Sequence, residues 1–254
     1  MITSTWKAYS QPPTPEPTFS TYIREEKGDD WKDIKIRLVG SHPLWAHYLW
    51  NAALALASYL DANPDTYKDR FVLELGAGGG LPSIVTAKNG AQKVVVTDYP
   101  DASLVDNIDY NVSSNLDEGE VGHVDVQGYI WGRPVDPLLN GLPPSANPKK
   151  FHLIILSDLI FNHSQHDALL KTCELSLAIA GPESPEIEPH VLVFYTHHRP
   201  HLAHRDMEFF STAKDRGWVC EEIVTRMFPA MFPEDPGEES IRSTVHGWKL
   251  KRRI

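Results

Sequence analysis

This sequence predicts a doubly wound α/β sheet, mostly parallel and closed by an antiparallel C-terminal pair. Three observations predict it. From Phe71 onward, apolar runs of strand length alternate with segments of helical periodicity, the pattern of successive βαβ units. Phe71-Val72-Leu73-Glu74-Leu75 runs into Gly76-Ala77-Gly78-Gly79-Gly80, a buried strand turning tightly into a helix N-terminus. The last two strand-like runs, 219–227 and 243–250, have no helix between them, so antiparallel pairing is the simpler topology.

The elements follow in order. Residues 1–33 form a proline-rich segment and residues 34–254 the domain. Gln11-Pro12-Pro13-Thr14-Pro15-Glu16-Pro17 favours extended polyproline conformation. The segment is either a tail or a strap whose Trp6, Tyr9, Phe19 and Tyr22 dock over a ligand. Residues 34–39 alternate like a half-exposed strand. Ser41 is an N-cap candidate for a helix carrying Leu44, Trp45, Tyr48, Leu49, Ala52, Ala53, Leu56 and Leu60, ending near Asp61. Trp50 lies off that stripe, as a core anchor or a lid over a ligand. After the strand Phe71–Leu75, a helix over 81–89 stops at Gly90. A second strand, Lys93–Asp98, precedes a helix capped by Asp101 and carrying Leu104, Val105, Ile108 and Val112. Residues 124–132 read as a third strand and its exit, and 133–148 as a loop. Residues 151–158 form a fourth strand, apolar on both faces as at a sheet centre. Ser164 opens a helix that runs past Ile179 to Gly181-Pro182. Strand His190–Thr196 and a helix over 201–216 follow.

Composition narrows the classes of function. Apolar residues at 41% and charged residues at 23% are ordinary for a globular domain. A net charge of −10 without a basic stripe argues against direct nucleic-acid binding. No apolar run is long enough to span a bilayer, and the N-terminus is polar, so a cytoplasmic protein is expected. Cys173 and Cys220 match no metal or redox spacing and read as reduced core thiols. His197, His198, His201 and His204 suggest metal ligation, but Pro200 interrupts the run and no carboxylate cluster accompanies it, so no metal is expected.

The glycine turn calls for an adenosine-bearing ligand, and an acidic residue to hold a ribose should lie about twenty residues on. Asp98 stands there, at the end of the second strand. A triphosphate loop would need Gly-Lys-Ser/Thr, yet Leu81-Pro82 follows Gly80. A dinucleotide fingerprint would place its third glycine where Leu81 stands. The pattern Glu-x-Gly-x-Gly-x-Gly, matched at Glu74, Gly76, Gly78 and Gly80, is similar to the first motif of S-adenosylmethionine-dependent methyltransferases.

Further matches narrow the resemblance. Leu49-Trp50-Asn51-Ala52-Ala53-Leu54, Asn107-Ile108-Asp109-Tyr110-Asn111, Trp131-Gly132 and Asp158-Leu159-Ile160-Phe161 resemble segments of the lysine and protein methyltransferases related to the methyltransferase-like twenty-one group. The likeness runs from about residue 35 to the end of the chain. It is nearest to the fungal members that modify the N-terminal glycine and neighbouring lysine of elongation factor 1-alpha.

The resemblance implies a Rossmann-like seven-stranded sheet, S-adenosylmethionine as cofactor, and a monomer acting on a protein substrate. It sets Trp50 against the methionine part of the cofactor and Gly76, Ala77 and Gly78 beneath it, with Glu74 in the same motif. Asp98 takes the ribose hydroxyls, Trp131 stacks near the adenine, and Ser157 lines the site. Core packing is the alternative for both tryptophans. On the acceptor side, Asp158 orients the amine while Phe161 and Tyr195 wall it; the alternative is that Asp158 caps a turn and Phe161 packs. A small-molecule, nicotinamide-type acceptor and a non-catalytic cofactor-binding scaffold are the rival readings.

Overall fold

The computed structural model describes residues 15–26, 28, 30–180 and 188–253. The first elements among the described residues form a hairpin of β1 (Thr18–Ile23) and β2 (Asp33–Leu38), paired antiparallel. Sequence alternation anticipated β2. It did not anticipate β1, so the boundary expected after residue 33 falls within the hairpin, and Tyr22 and Trp31 join the core. Residues 11–14 of the proline run, with Trp6 and Tyr9, lie outside the described residues.

The domain follows as α1 (Asn51–Ala62), β3 (Phe71–Leu75), α2 (Leu81–Lys88), β4 (Lys93–Asp98), α3 (Ala102–Asn115), α4 (Glu118–Val121), β5 (Val124–Gly128) and α5 (Asp136–Asn140). The second half comprises β6 (Leu153–Ser157), α6 (His166–Ser176), β7 (His190–Thr196), α7 (Ala203–Asp215), β8 (Trp218–Met227), α8 (Glu239–Ser243) and β9 (Thr244–Arg252). Seven strands form one sheet in the order β5-β4-β3-β6-β7-β9-β8. The first five pair in parallel, and β9 runs antiparallel to both β7 and β8. The predicted fold class is therefore the observed one.

Strand alternation sorts the core into two layers. Leu153, Ile155, Leu192 and Phe194 face α1, α2, α3 and the hairpin. Ile154, Leu156, Val191, Val193 and Tyr195 face α6 and α7. Among the described residues no helix is long and apolar enough to cross a membrane.

The largest departure from expectation lies before α1. Its helix does not begin near Ser41. Trp50 occupies the N-cap, Trp45 has φ +65, and Leu44 and Trp45 are about half exposed. The apolar residues that imitated a helical stripe there line a loop. Similarly, α6 stops at Ser176 instead of continuing past Ile179, which is exposed; residues 181–182 lie outside the described residues.

An asparagine ladder fastens the hairpin to the sheet domain. Asn111 donates to the Arg37 carbonyl at 2.8 Å and accepts from the Arg37 N–H at 2.7 Å. One turn on, Asn115 does the same for Lys35, at 3.0 Å each way. Four helical residues rise about 6 Å, close to the ~6.7 Å between alternate residues of a strand. Side-chain amides on one face of α3 thus stand in for a neighbouring strand along β2. Asn111 also donates to the Gly79 carbonyl at 3.0 Å, which ties hairpin and glycine turn together.

Candidate active site

From β3 the chain adds β4 and β5 on one side, then returns to add β6 and β7 on the other. Open α/β sheets bind ligands outside the C-terminal ends of strands at such a reversal. A cleft of about 600 Å³ opens there, large enough for a small-molecule cofactor.

Its floor is the glycine turn. Gly76 has φ +62, and a Cβ on it would lie 2.7 Å from Leu159 and 3.0 Å from Trp131. Gly78 has φ +56 and nothing within 4 Å of its Cβ position, so backbone meets open cleft. Asp98, at the end of β4 and 7% exposed, accepts from the Gly78 N–H through Oδ2 and from the Tyr99 N–H through Oδ1, both at 2.7 Å. A carboxylate offers about four acceptor sites, so two remain for a ligand. Burial raises the pKa of Asp98, and the Gly78 and Tyr99 amides oppose that rise. Trp50, Ala77, Trp131 and Ser157 border the same cleft.

Glu74 is placed differently. It is fully buried beneath the turn, where its Oε2 accepts from the Ser83 N–H at 3.0 Å and from the Ser83 hydroxyl, while Oε1 has no partner. It shapes the entry into α2 and does not line the cleft. Burial pushes its carboxyl up to about 8, against the lowering effect of the Ser83 bonds.

A stability prediction follows from that shift. The unfolded chain loses the Glu74 proton near pH 4.3, roughly the ordinary glutamate value, whereas the fold keeps it until about 8. In that window the unfolded state holds fewer protons, so stability falls as pH rises and levels off above it. Glu74→Gln removes the effect. The melting temperature of the variant minus that of the wild type should climb by roughly 5 °C or more between pH 5 and pH 8.5. Parallel melting curves across that range would mean that Glu74 is already ionised in the fold.

The other wall belongs to the loops after β6 and β7. Asp158 is buried with φ +58, a backbone region that aspartate tolerates better than most residues. Its N–H donates to the Phe194 carbonyl at 2.7 Å, and its Oδ2 lies 2.8 Å from His198 Nε2. Phe161, Asn162, Gln165 and Arg199 complete this side, with Tyr48 and Trp45 across the mouth.

Tyr195 is a correction. It sits within β7 with its side chain in the opposite layer, 2% exposed, its hydroxyl 3.3 Å from Met207 Sδ and its ring against Phe210 and His246. Strand alternation sends it toward α7, away from the cleft.

The histidine run acquires carboxylate partners that the sequence does not place beside it. Asp206 of α7 receives His197 Nδ1 at 2.6 Å and His163 Nε2 at 2.7 Å, while His198 meets Asp158. Among the described residues no group of three or more His, Cys, Asp or Glu could hold a metal ion. Sequence alone takes up His198 only within the histidine run and does not pair it with Asp158; the one signal for that contact is a polar residue just past β7, beside the strand that delivers Asp158.

Fold and site together define a class: an α/β domain whose switch-point cleft is built to receive an adenosine-bearing cofactor. The chain belongs to the lysine methyltransferase family, whose model matches residues 30–216. It is 50% identical over 234 residues to the protein N-terminal and lysine N-methyltransferase EFM7 of Cryptococcus neoformans var. neoformans serotype D, covering 88% of this chain and 77% of that one. It is 45% identical to the Schizosaccharomyces pombe protein of the same description, over 94% of this chain and 91% of the other. Among solved structures, the O-methyltransferase TomG of Streptomyces achromogenes, in complex with SAM, superimposes with a TM-score of 0.51 at 13% identity. That match covers 80% of this chain and 79% of TomG. The Bacillus cereus O-methyltransferase with SAH gives 0.51 at 12% identity, over 83% and 84% of the two chains. At such identities the likeness is one of fold.

The protein is accordingly an S-adenosylmethionine-dependent protein methyltransferase. The cleft fits that cofactor. A carboxylate with two spare acceptor sites suits a vicinal diol, and a turn bare of side chains permits close approach.

Proposed function

We propose that this enzyme methylates a protein's N-terminal glycine and the lysine beside it, and that the protein is translation elongation factor 1-alpha. In this reading it works as a cytoplasmic monomer and contacts neither nucleic acid nor membrane. The observation that carries the reading is the 45–50% identity, over most of each chain, to relatives described as protein N-terminal and lysine N-methyltransferases.

The roles follow from position. S-adenosylmethionine supplies an electrophilic methyl group on a cationic sulfur. Asp98 holds the ribose through its two free acceptor sites, and Trp131, packed against Gly76, flanks the adenine. Trp50 and the backbone of residues 76–78 bound the methionine end, and Ser157 lines the passage between the two walls. Asp158 accepts a hydrogen bond from the incoming amine and aligns its lone pair, because in-line displacement depends on alignment and needs no covalent enzyme intermediate. Phe161 presents an aromatic face to the positive charge that grows on the nitrogen.

The test is direct. Purified enzyme, isotopically labelled cofactor and unmodified elongation factor are combined, and peptides are mapped by mass spectrometry. Label on the N-terminal glycine and neighbouring lysine is the expected result. If a lysate treated in the same way yields label only in a small molecule, the acceptor assignment is overturned.

A further inference from the structure

Asp158 does not stand alone at the acceptor wall. Its Oδ2 is held at 2.8 Å by His198 Nε2, and both side chains are largely shielded from solvent. The His198 ring also packs edge-on against Trp50, with ring centroids 4.8 Å apart, while the backbone N–H of His198 donates to the Thr196 carbonyl at 3.0 Å. One imidazole, carried just past the end of β7, therefore joins the carboxylate after β6 to the tryptophan at the N-cap of α1.

We propose that His198 is a positioning residue that fixes the Asp158 carboxylate toward the acceptor and makes the charge of the acceptor wall depend on pH. The proposal rests on the reading of Asp158 as the group that orients the amine. Methylation places positive charge on the acceptor nitrogen, and an ionised Asp158 stabilises that charge. With His198 neutral, the pair carries a net negative charge. With His198 protonated, the pair is neutral and the stabilisation is largely cancelled. A histidine is the only ordinary side chain that makes this change between about pH 5 and pH 8.

Other charges bear on the same ring. Asp206 of α7 faces it and is itself held by His163 and His197, while Arg199 is the next residue in the chain. Burial alone would lower the pKa of His198. The Asp158 charge and hydrogen bond, helped by Asp206 and opposed by Arg199, outweigh burial and raise it. His198 thus stays protonated to a higher pH than an ordinary histidine, and the damping of activity reaches toward neutral pH.

The acceptor amine also protonates on the acid side, at about 7.7–8.0 for an N-terminus, so the enzyme's contribution must be separated from the substrate's. His198→Gln does this, because its amide can donate to Asp158 as Nε2–H does but cannot titrate. With an N-terminal peptide acceptor, wild-type kcat/KM should fall toward acid pH more steeply than tenfold per unit. His198→Gln should show only the tenfold-per-unit slope of the substrate. His198→Ala should lower kcat on the order of 10²-fold at high pH, the scale of a misplaced catalytic group, and His198→Gln should recover part of that loss. If the His198→Gln limb superimposes on the wild type, or His198→Ala turns over at the wild-type rate, the proposal is wrong. Asp158→Asn separates the two ideas. Should Asp158→Asn be fully active, the orienting role of Asp158 fails and this proposal with it. Should it be slow while the His198 variants behave as wild type, only the role of His198 fails.

Discussion

Asp98→Ala should weaken binding of S-adenosylhomocysteine by 10²- to 10⁴-fold in a calorimetric titration. Two hydrogen bonds from ribose hydroxyls to an ionised acceptor contribute about 1.5–3 kcal/mol each, and every 1.4 kcal/mol is roughly tenfold in affinity. The loss extends beyond those two bonds. Asp98 also anchors the Gly78 amide, so its removal frees one corner of the turn that the ligand must approach. Asp98→Asn sharpens the result. It keeps the shape but offers one acceptor oxygen and places a donor where a carboxylate oxygen had accepted, so it should fall between wild type and alanine. An Asp98→Ala variant that binds within threefold of wild type would falsify the ribose assignment.

The parts legible in the sequence were those fixed by local backbone chemistry. Gly76 and Gly78 both adopt positive φ, and at Gly76 a Cβ would also collide with Leu159, while Asp98 followed at the interval set by one helix and one strand. Asp101 capped α3 as expected, accepting from the Ser103 N–H at 2.8 Å. Illegible parts were set by contacts distant in the chain. Residues 44–49 carry helical spacing, yet Trp45 adopts φ +65 and the helix starts only at Asn51. Periodicity records where apolar groups lie, and a loop lining a cleft can satisfy it as well as a helix.

Likewise, β1 has no strong alternation, because only Tyr22 of its six residues is buried; it exists through pairing with β2. Asn107 and Asn111 of α3 looked like a family signature, Asn115 carried no signal, and the work of Asn111 and Asn115 as a substitute strand depends on β2 lying alongside. Tyr195 misled for the opposite reason. Its place near the end of β7 suggested the site, but side chains alternate along a strand, and only the register with β6 and β9 decides which layer receives each one. His198 could not be paired with Asp158 before the parallel register of β6 and β7 was known.

The acceptor half of the site turns on Asp158, and asparagine is the informative replacement there. Alanine would strain a backbone at φ +58, whereas asparagine tolerates the left-handed region and keeps the side-chain shape. Asp158→Asn should reduce kcat by 10²- to 10³-fold, the combined scale of lost alignment and lost charge. Its affinity for S-adenosylhomocysteine should stay within about threefold, because no hydrogen bond links Asp158 to Asp98 or to the glycine turn among the described residues. The two acceptors should not suffer equally. An N-terminal amine with a pKa of about 7.7–8.0 is largely available near pH 8, but a lysine near 10.4 is roughly 150-fold less so and relies more on a nearby carboxylate to accept its proton. Quantifying both products from one peptide at pH 8 should therefore show lysine methylation falling further than N-terminal methylation. Equal losses would leave Asp158 as an aligner without an electrostatic role, and more than a tenth of the wild-type rate on both sites would remove it from the acceptor machinery altogether.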